Sequence, residues 1–247
     1  MKLTLVGCGD AFGSGGRLNT CFHVSDGAGT FLIDCGASSM IGLNRLGLDP
    51  NAIDTVLISH LHGDHFAGLV FFLLHAQHVA RRTVPLDIVG PPGIEARVVA
   101  ASEALFPGST TTARRHPLAF REIAAGEPLT LGASRVTAFE VSHPSGAPSH
   151  ALRIERDGRV LAFSGDTEWV DALTACARGA DLFIVECYEP DRAVRYHINW
   201  RTLSEKLELL TARRILLTHM NTAMLAARDL VSDPRITLAE DGLVLDV

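Results

Sequence analysis

Ser59-His60-Leu61-His62-Gly63-Asp64-His65 places three histidines and one aspartate within six positions. Imidazole nitrogens and carboxylate oxygens are the donors that zinc and related divalent ions prefer. His60 and His62 are two apart, so in an extended segment their side chains point to one side and can share an ion. Asp64 and His65, where the chain turns into a helical pattern, can face a second ion. One such segment does not complete two coordination shells, so further ligands must come from elsewhere. The candidates are His143 after residues 137–142, Asp166 after residues 161–165 and His219 after residues 215–218. Each stands just past a strand-like run, where α/β sites gather their groups.

The elements that must position these residues alternate along the chain. Residues 54–58 form a continuous apolar run ahead of the histidine segment, as in a strand covered on both faces. Residues 4–6, 21–24, 30–33 and 86–90 are further strands, and several more strand candidates lie between Leu118 and Phe163. Helical patterns cover residues 38–46, stopped by Gly47, and residues 66–79, with another after Pro91-Pro92-Gly93. The last third repeats the alternation: helices over 170–177 and 202–210, strands at 182–185, 215–217 and 243–245. Strand clusters in both halves, each accompanied by helices, predict two packed sheets with helices outside, in one domain spanning 1–247.

Composition narrows the function classes. The formal net charge is -6, so no global field draws the protein onto nucleic acid. No stretch approaches the roughly 20 apolar residues of a membrane helix, and the opening residues read as a strand rather than a signal peptide. Five cysteines without a Cys-x-x-Cys pair argue against a disulfide framework and for a cytoplasmic setting. His75 and His78, three apart on a helix, fit an exposed face better than a metal pair. His150 is a candidate substrate contact through its nearness to His143. Arg81, Arg82, Arg114 and Arg115 are candidates for a phosphate approach, although paired arginines are more often solvated.

The His-x-His-x-Asp-His segment resembles the signature of the metallo-β-lactamase superfamily. Phe31-Leu32-Ile33-Asp34-Cys35-Gly36, Gly63-Asp64-His65-Phe66-Ala67-Gly68-Leu69, Gly90-Pro91-Pro92-Gly93 and Ser164-Gly165-Asp166-Thr167 resemble its ribonuclease Z branch, as does Gly7-Cys8-Gly9-Asp10 with Arg17-Leu18-Asn19. The similarity runs nearly end to end, least distinctly over residues 95–130. It implies a four-layer αββα sandwich of two mixed β-sheets with metals at the sheet edges. His60, His62 and His143 would hold one ion and Asp64, His65 and His219 the other, with Asp166 bridging. Asp64 would also orient the attacking water. The resemblance further assigns Glu186 to orient His197, which would protonate the leaving oxygen; a carboxylate fixing an imidazole tautomer suits a general acid. The competing role for His197 is to cap the helix that follows.

Two ions roughly 3.5–4 Å apart lower the pKa of a shared water and clamp both oxygens of an in-line displacement. The expectation is a dinuclear phosphodiesterase with hydroxide attack, zinc as first metal and manganese or iron as others. Bacterial ribonuclease Z enzymes carry a long Gly/Pro-rich arm between the third metal histidine and the bridging aspartate. Here about twenty residues, read as strand, Asp157-Gly158 turn and strand, separate His143 from Asp166. A small phosphodiester, a cyclic nucleotide or nucleotide fragment, therefore suits the chain better than tRNA 3′ processing or another long nucleic acid. An arylsulfatase, lactonase or thioesterase on the same scaffold is the alternative hydrolase. A flavo-diiron oxidoreductase is disfavoured by His62, where that branch carries glutamate, and a metal sensor by the intact ligand set. A homodimer is what relatives suggest.

Overall fold

The computed structural model describes all 247 residues, Met1–Val247. One sheet runs in the order β14-β1-β2-β3-β4-β5-β6 and the other in the order β13-β12-β11-β10-β9-β8-β7. The first contains β1 (Lys2–Gly7), β2 (Cys21–Asp26), β3 (Gly29–Ile33), β4 (Thr55–Leu57), β5 (Leu86–Gly90), β6 (Leu118–Glu122) and the returning β14 (Val244–Asp246). The second contains β7 (Leu129–Leu131), β8 (Ser134–Val141), β9 (Ser149–Arg156), β10 (Arg159–Phe163), β11 (Leu182–Glu186), β12 (Ile215–Thr218) and β13 (Ile236–Leu238). Pairing is antiparallel from β14 to β3 and parallel from β3 to β6. It is likewise antiparallel from β7 to β10 and parallel from β10 to β13.

The mixed sheets stack because their strands are apolar on both faces. Leu57, Phe31 and Ile33 point into the inter-sheet core with Leu161, Phe163, Leu182 and Ile184. Their alternates Val56, Ile58 and Leu32 pack outward with Leu43, Leu69, Phe72 and Val98 from α1 (Ser39–Arg45), α3 (Gly68–Leu74) and α4 (Ile94–Leu105). On the other sheet Ala162, Phe183, Val185 and Leu217 pack outward with residues of α5 (Ala172–Cys176), α6 (Trp200–Lys206) and α7 (Thr222–Ala226). Period-two alternation between two apolar environments is why residues 54–58 read as an unbroken run. Three hydrophobic layers make four layers of structure, the αββα sandwich expected. Phe22 and Phe163 lock the two sheets edge to face at 5.3 Å; truncating either would cost about 3–5 kcal/mol.

Several expected elements change shape at their ends. The helix anticipated over 66–79 begins earlier, with α2 (Gly63–Phe66), is interrupted at Ala67, and closes in a π turn over His75–Val79. The His62 carbonyl takes both the His65 and Phe66 amides, so the histidine turn itself starts the helix. The helix anticipated over 202–210 starts at Trp200, because the Asn199 side chain accepts the Thr202 amide. His197 is thus not the cap. α7 and β13 have no counterpart in the sequence reading; each is five residues or fewer, too short for a periodic signal. The β9–β10 hairpin turns on Asp157 (φ 50°) and Gly158 (φ 69°), the paired left-handed residues of a tight hairpin. No helix is long and apolar enough to cross a membrane, and all five cysteines are buried free thiols.

Candidate metal centre

Every candidate ligand sits at one edge of the sandwich, on a connection leaving a strand. β4 leads into His60–His65, β8 into His143, β10 into Asp166 and β12 into His219. The His60–His65 turn is seated by an unusually close backbone approach: Cys35 donates to the His65 carbonyl at 2.7 Å and Gly68 to the Cys35 carbonyl at 2.9 Å. A Cβ on Gly68 would lie 2.2 Å from the Gly36 carbonyl oxygen, so only glycine lets α3 come this near.

The seven residues converge in two groups, His60 with His62 and His143, and Asp64 with His65, Asp166 and His219. His143 Nε2 and His62 Nδ1 face each other at 2.9 Å. Asp166 Oδ1 lies 3.3 Å from His65 Nε2, and its Oδ2 lies 3.2 Å from His219 Nε2 and 4.0 Å from both His60 and His143 Nε2. One carboxylate therefore faces both groups. Asp64 Oδ2 is 3.3 Å from His65 Nε2 and 3.3 Å from His219 Nε2.

Four imidazoles are pinned at Nδ1 and present Nε2. His60 Nδ1 meets the Ser59 hydroxyl at 3.0 Å, and His65 Nδ1 meets Asp34 Oδ2 at 2.6 Å. His143 Nδ1 donates to the Tyr196 carbonyl at 3.0 Å, and His197 Nδ1 to Glu186 Oε2 at 3.1 Å. Pinning one nitrogen fixes the tautomer and aims the other. Asp34 is the residue the sequence reading missed. It is fully buried and also accepts the Ser59 amide and hydroxyl, at 2.7 and 2.8 Å. Its signal was the one used for the others, a carboxylate just past a strand, here β3.

The backbone is strained at the same place. Asp34 (φ 56°), Tyr196 (φ 67°) and His219 (φ 58°) are three of the five non-glycine residues with left-handed φ. Such conformations persist where surrounding structure over-determines them. At Tyr196 the twist turns its carbonyl to His143 while the next side chain, His197, reaches Glu186.

The charges describe a site built for cations. Burial pushes the carboxyls of Asp64 and Asp166 upward, but the surrounding histidines, His65 for Asp64 and His219 foremost for Asp166, hold both well below the usual range. Burial alone would lower His219, yet Asp166 and Asp64 hold it up at about 9. His60 is driven well below its ordinary value by burial and by the nearby His65. Its Nε2 and that of His65 are buried without a hydrogen-bond partner. Buried carboxylates, the orphaned nitrogens of His60 and His65, and the 2.9 Å approach of His143 Nε2 to His62 Nδ1 fit divalent ions held by N and O donors. Burial raises Glu186, whose Oε1 accepts the Thr167 amide; Glu186 in turn raises His197 against the effect of its burial.

Other candidates lie apart from this edge. Arg82 is corrected from solvated or phosphate-facing to structural: it is buried, its guanidinium donating to the carbonyls of Val84, Asn51 and Pro85 at 2.9, 3.0 and 2.5 Å. His150 is buried in β9 and does not line the cleft, so it is no substrate contact. His78 is exposed and His75 half-buried, and neither joins a ligand group. The cleft above the ligands encloses about 140 Å³ and is rimmed by Phe12 and Tyr188.

The family model described as the beta-lactamase superfamily domain matches residues 30–220. The chain belongs to this superfamily and is a metal-dependent hydrolase of its ribonuclease Z-like kind, whose fold binds divalent metals. Among its relatives, ribonuclease Z of Mycobacterium bovis (strain BCG / Pasteur 1173P2) is 30% identical over 194 residues, covering 74% of this chain and 69% of that protein. Human tRNase Z, short form, superposes with a TM-score of 0.81 at 24% identity, covering 100% of this chain and 99% of the other. A diphosphatase from the PhnP family superposes with a TM-score of 0.79 at 17% identity, covering 100% and 97%.

Proposed function

We propose that the chain is a dinuclear metal-dependent phosphodiesterase acting on a small phosphodiester, such as a cyclic nucleotide or a nucleotide fragment. The observation that carries this reading is His197, pinned at Nδ1 by Glu186, beside a ligand cluster and with no partner at Nε2 within the chain. In this assignment His60, His62 and His143 would hold one ion and Asp64, His65 and His219 the other, with Asp166 available to both. Zinc suits this donor set best, and manganese or iron would also be accepted. When bound, two such ions polarise the phosphoryl oxygens and make a water acidic enough to react near neutral pH.

The chain's own groups do the rest. Asp64, kept ionised by its neighbouring imidazoles, accepts a hydrogen bond from the attacking water and aims it along the line of displacement. As the bond from phosphorus to the leaving oxygen breaks, His197 Nε2 gives that oxygen its proton. Glu186 stabilises the imidazolium before transfer and holds the ring in place after it. A positioned general acid of this kind contributes about 10²–10⁴-fold.

Substrate size follows from the surroundings. Between His143 and Asp166 the chain runs only through the β9–β10 hairpin, so no long arm rises from this side of the site to grip a large nucleic acid. RNA cleavage is the second reading, favoured by the Mycobacterium bovis ribonuclease Z relative. The test is hydrolysis of bis-p-nitrophenyl phosphate by zinc- and manganese-loaded protein. A p-nitrophenyl sulfate, a lactone, a thioester and a precursor tRNA run beside it. Diester turnover that falls about a hundredfold or more in His197→Ala is expected. Turnover confined to the sulfate, lactone or thioester would overturn it, as would tight, salt-sensitive tRNA binding.

A further inference from the structure

Phe12 is 84% exposed, the most open of the large apolar side chains, and it stands on the rim of the metal cleft. A lone exposed apolar residue is ordinarily unremarkable on a protein surface. This one is distinguished by its support. Asp10, fully buried, accepts the Phe12 amide at 3.2 Å and the Ser14 amide at 2.9 Å through Oδ1, and the Ser14 hydroxyl at 2.7 Å through Oδ2. The Asp10 carbonyl takes the Asn19 side-chain amide at 3.2 Å and the Gly13 amide at 3.3 Å. The loop is thus braced in a shape that holds an apolar ring in water, against the tendency of such surface to bury itself.

Tyr188, which also lines the cleft, shows what an occupied ring face looks like here. Tyr188 lies 4.8 Å from the His197 ring and 6.0 Å from that of His219, so it already packs against site imidazoles. Phe12 has no aromatic neighbour of this kind. The cleft, at about 140 Å³, is well below the roughly 300 Å³ at which pockets begin to enclose a whole small ligand. Beside it, across His197, lies a second pocket of about 310 Å³, so a substrate has room for one arm there, and an arm leaving on the other side crosses the rim at Phe12. A phenyl ring has no hydrogen-bonding group, so it reads a flat π face and is indifferent to the polar edge of whatever stacks on it.

We propose that Phe12 is a stacking platform for an aromatic arm of the substrate, a nucleobase or an aryl ring, and so a specificity determinant of the reaction. The proposal rests on the phosphodiesterase reading and narrows its substrate to diesters with such an arm. It is tested by calorimetric binding of AMP, p-nitrophenyl phosphate and ribose 5-phosphate to zinc-loaded protein. All three carry a phosphate monoester, and only the first two carry a ring to stack.

Base stacking on an aromatic side chain corresponds to about a five- to hundredfold preference. The wild type is expected to bind AMP about tenfold or more tightly than ribose 5-phosphate. Phe12→Ala should bring that ratio close to one, and Phe12→Trp should keep it. An equal gain for p-nitrophenyl phosphate assigns the platform to any aryl ring, and a gain for AMP alone to a nucleobase; either supports the proposal. A ratio near one in the wild type, or one unchanged in Phe12→Ala, overturns it. A change in gel-filtration volume of Phe12→Ala with the ratio unchanged would make Phe12 an interface between copies instead. Turnover of bis-p-nitrophenyl phosphate by the wild type, measured alongside, reports separately on the reaction, so the two readings fail independently.

Discussion

In the first half of the sandwich, three antiparallel pairings are followed by three parallel ones, and the turn after β4 alone supplies His60, His62, Asp64 and His65. The second half repeats the same order of pairings, yet spreads its contribution one residue at a time, with His143 after β8, Asp166 after β10 and His219 after β12. Glu186 closes β11, the counterpart of β4. One architecture thus serves two strategies. The first concentrates donors in a turn clamped by Gly36 and Gly68; the second relies on β8, β10 and β12 running in the same direction to bring distant residues to one edge. The second half also holds Asp166, the one carboxylate that faces both ligand groups.

If the halves contribute as described, Asp166→Ala is the most damaging single change despite leaving the dense turn intact. Hydrolysis by the zinc-reconstituted variant is expected to fall by roughly a thousandfold or more, the scale expected when a two-ion site is lost. A loss of tenfold or less would mean that the first half suffices alone. Asp34→Asn sharpens the comparison from the other side, by loosening the dense turn without removing any of its four residues. Zinc affinity measured by chelator competition should fall about 10–100-fold. Unchanged affinity would show that His65 needs no partner at Nδ1.

A smaller effect is expected at the edge of the inter-sheet core marked by Arg156. There Arg156 of β9 grips Asp26 of β2 with two bonds, at 2.7 and 2.6 Å, and so ties the sheets together. The Arg156 side chain's hydrogen bonds hold the Asp26 carboxyl below its usual range. A depressed carboxylate stabilises the fold above its unfolded value, near 3.9, and loses that contribution as pH falls through the folded value. Asp26→Asn should therefore lower unfolding stability by on the order of 1–2 kcal/mol at pH 7. The gap from wild type should close below about pH 4. A gap independent of pH would remove the ion pair from the account.

How far the sequence discloses each half follows from the same contrast. Four donor residues within six positions are visible without any structure, and so is the buried strand that delivers them. His143, Asp166 and His219 are visible only through their place after a strand, a weaker signal that the fold makes good by bringing all three to one edge. Asp34 has that same signal and escaped notice because its partner, His65, is 31 residues away. Tyr196 leaves no trace in residue type, since it acts through a carbonyl turned by left-handed backbone. The limits of α2 and α6 escape periodicity for a related reason: the His62 carbonyl and the Asn199 cap set where those helices begin. Arg82 illustrates the converse error, a charge whose buried carbonyl partners no local pattern announces.

On this reading both halves of the sandwich together hold two ions. Anomalous diffraction at the zinc edge from crystals of zinc-loaded protein tests it most directly. Two peaks roughly 3.5–4 Å apart are predicted, one beside His60, His62 and His143, the other beside Asp64, His65 and His219, with Asp166 reaching both. A single peak, or zinc bound away from this edge of the sandwich, would contradict it.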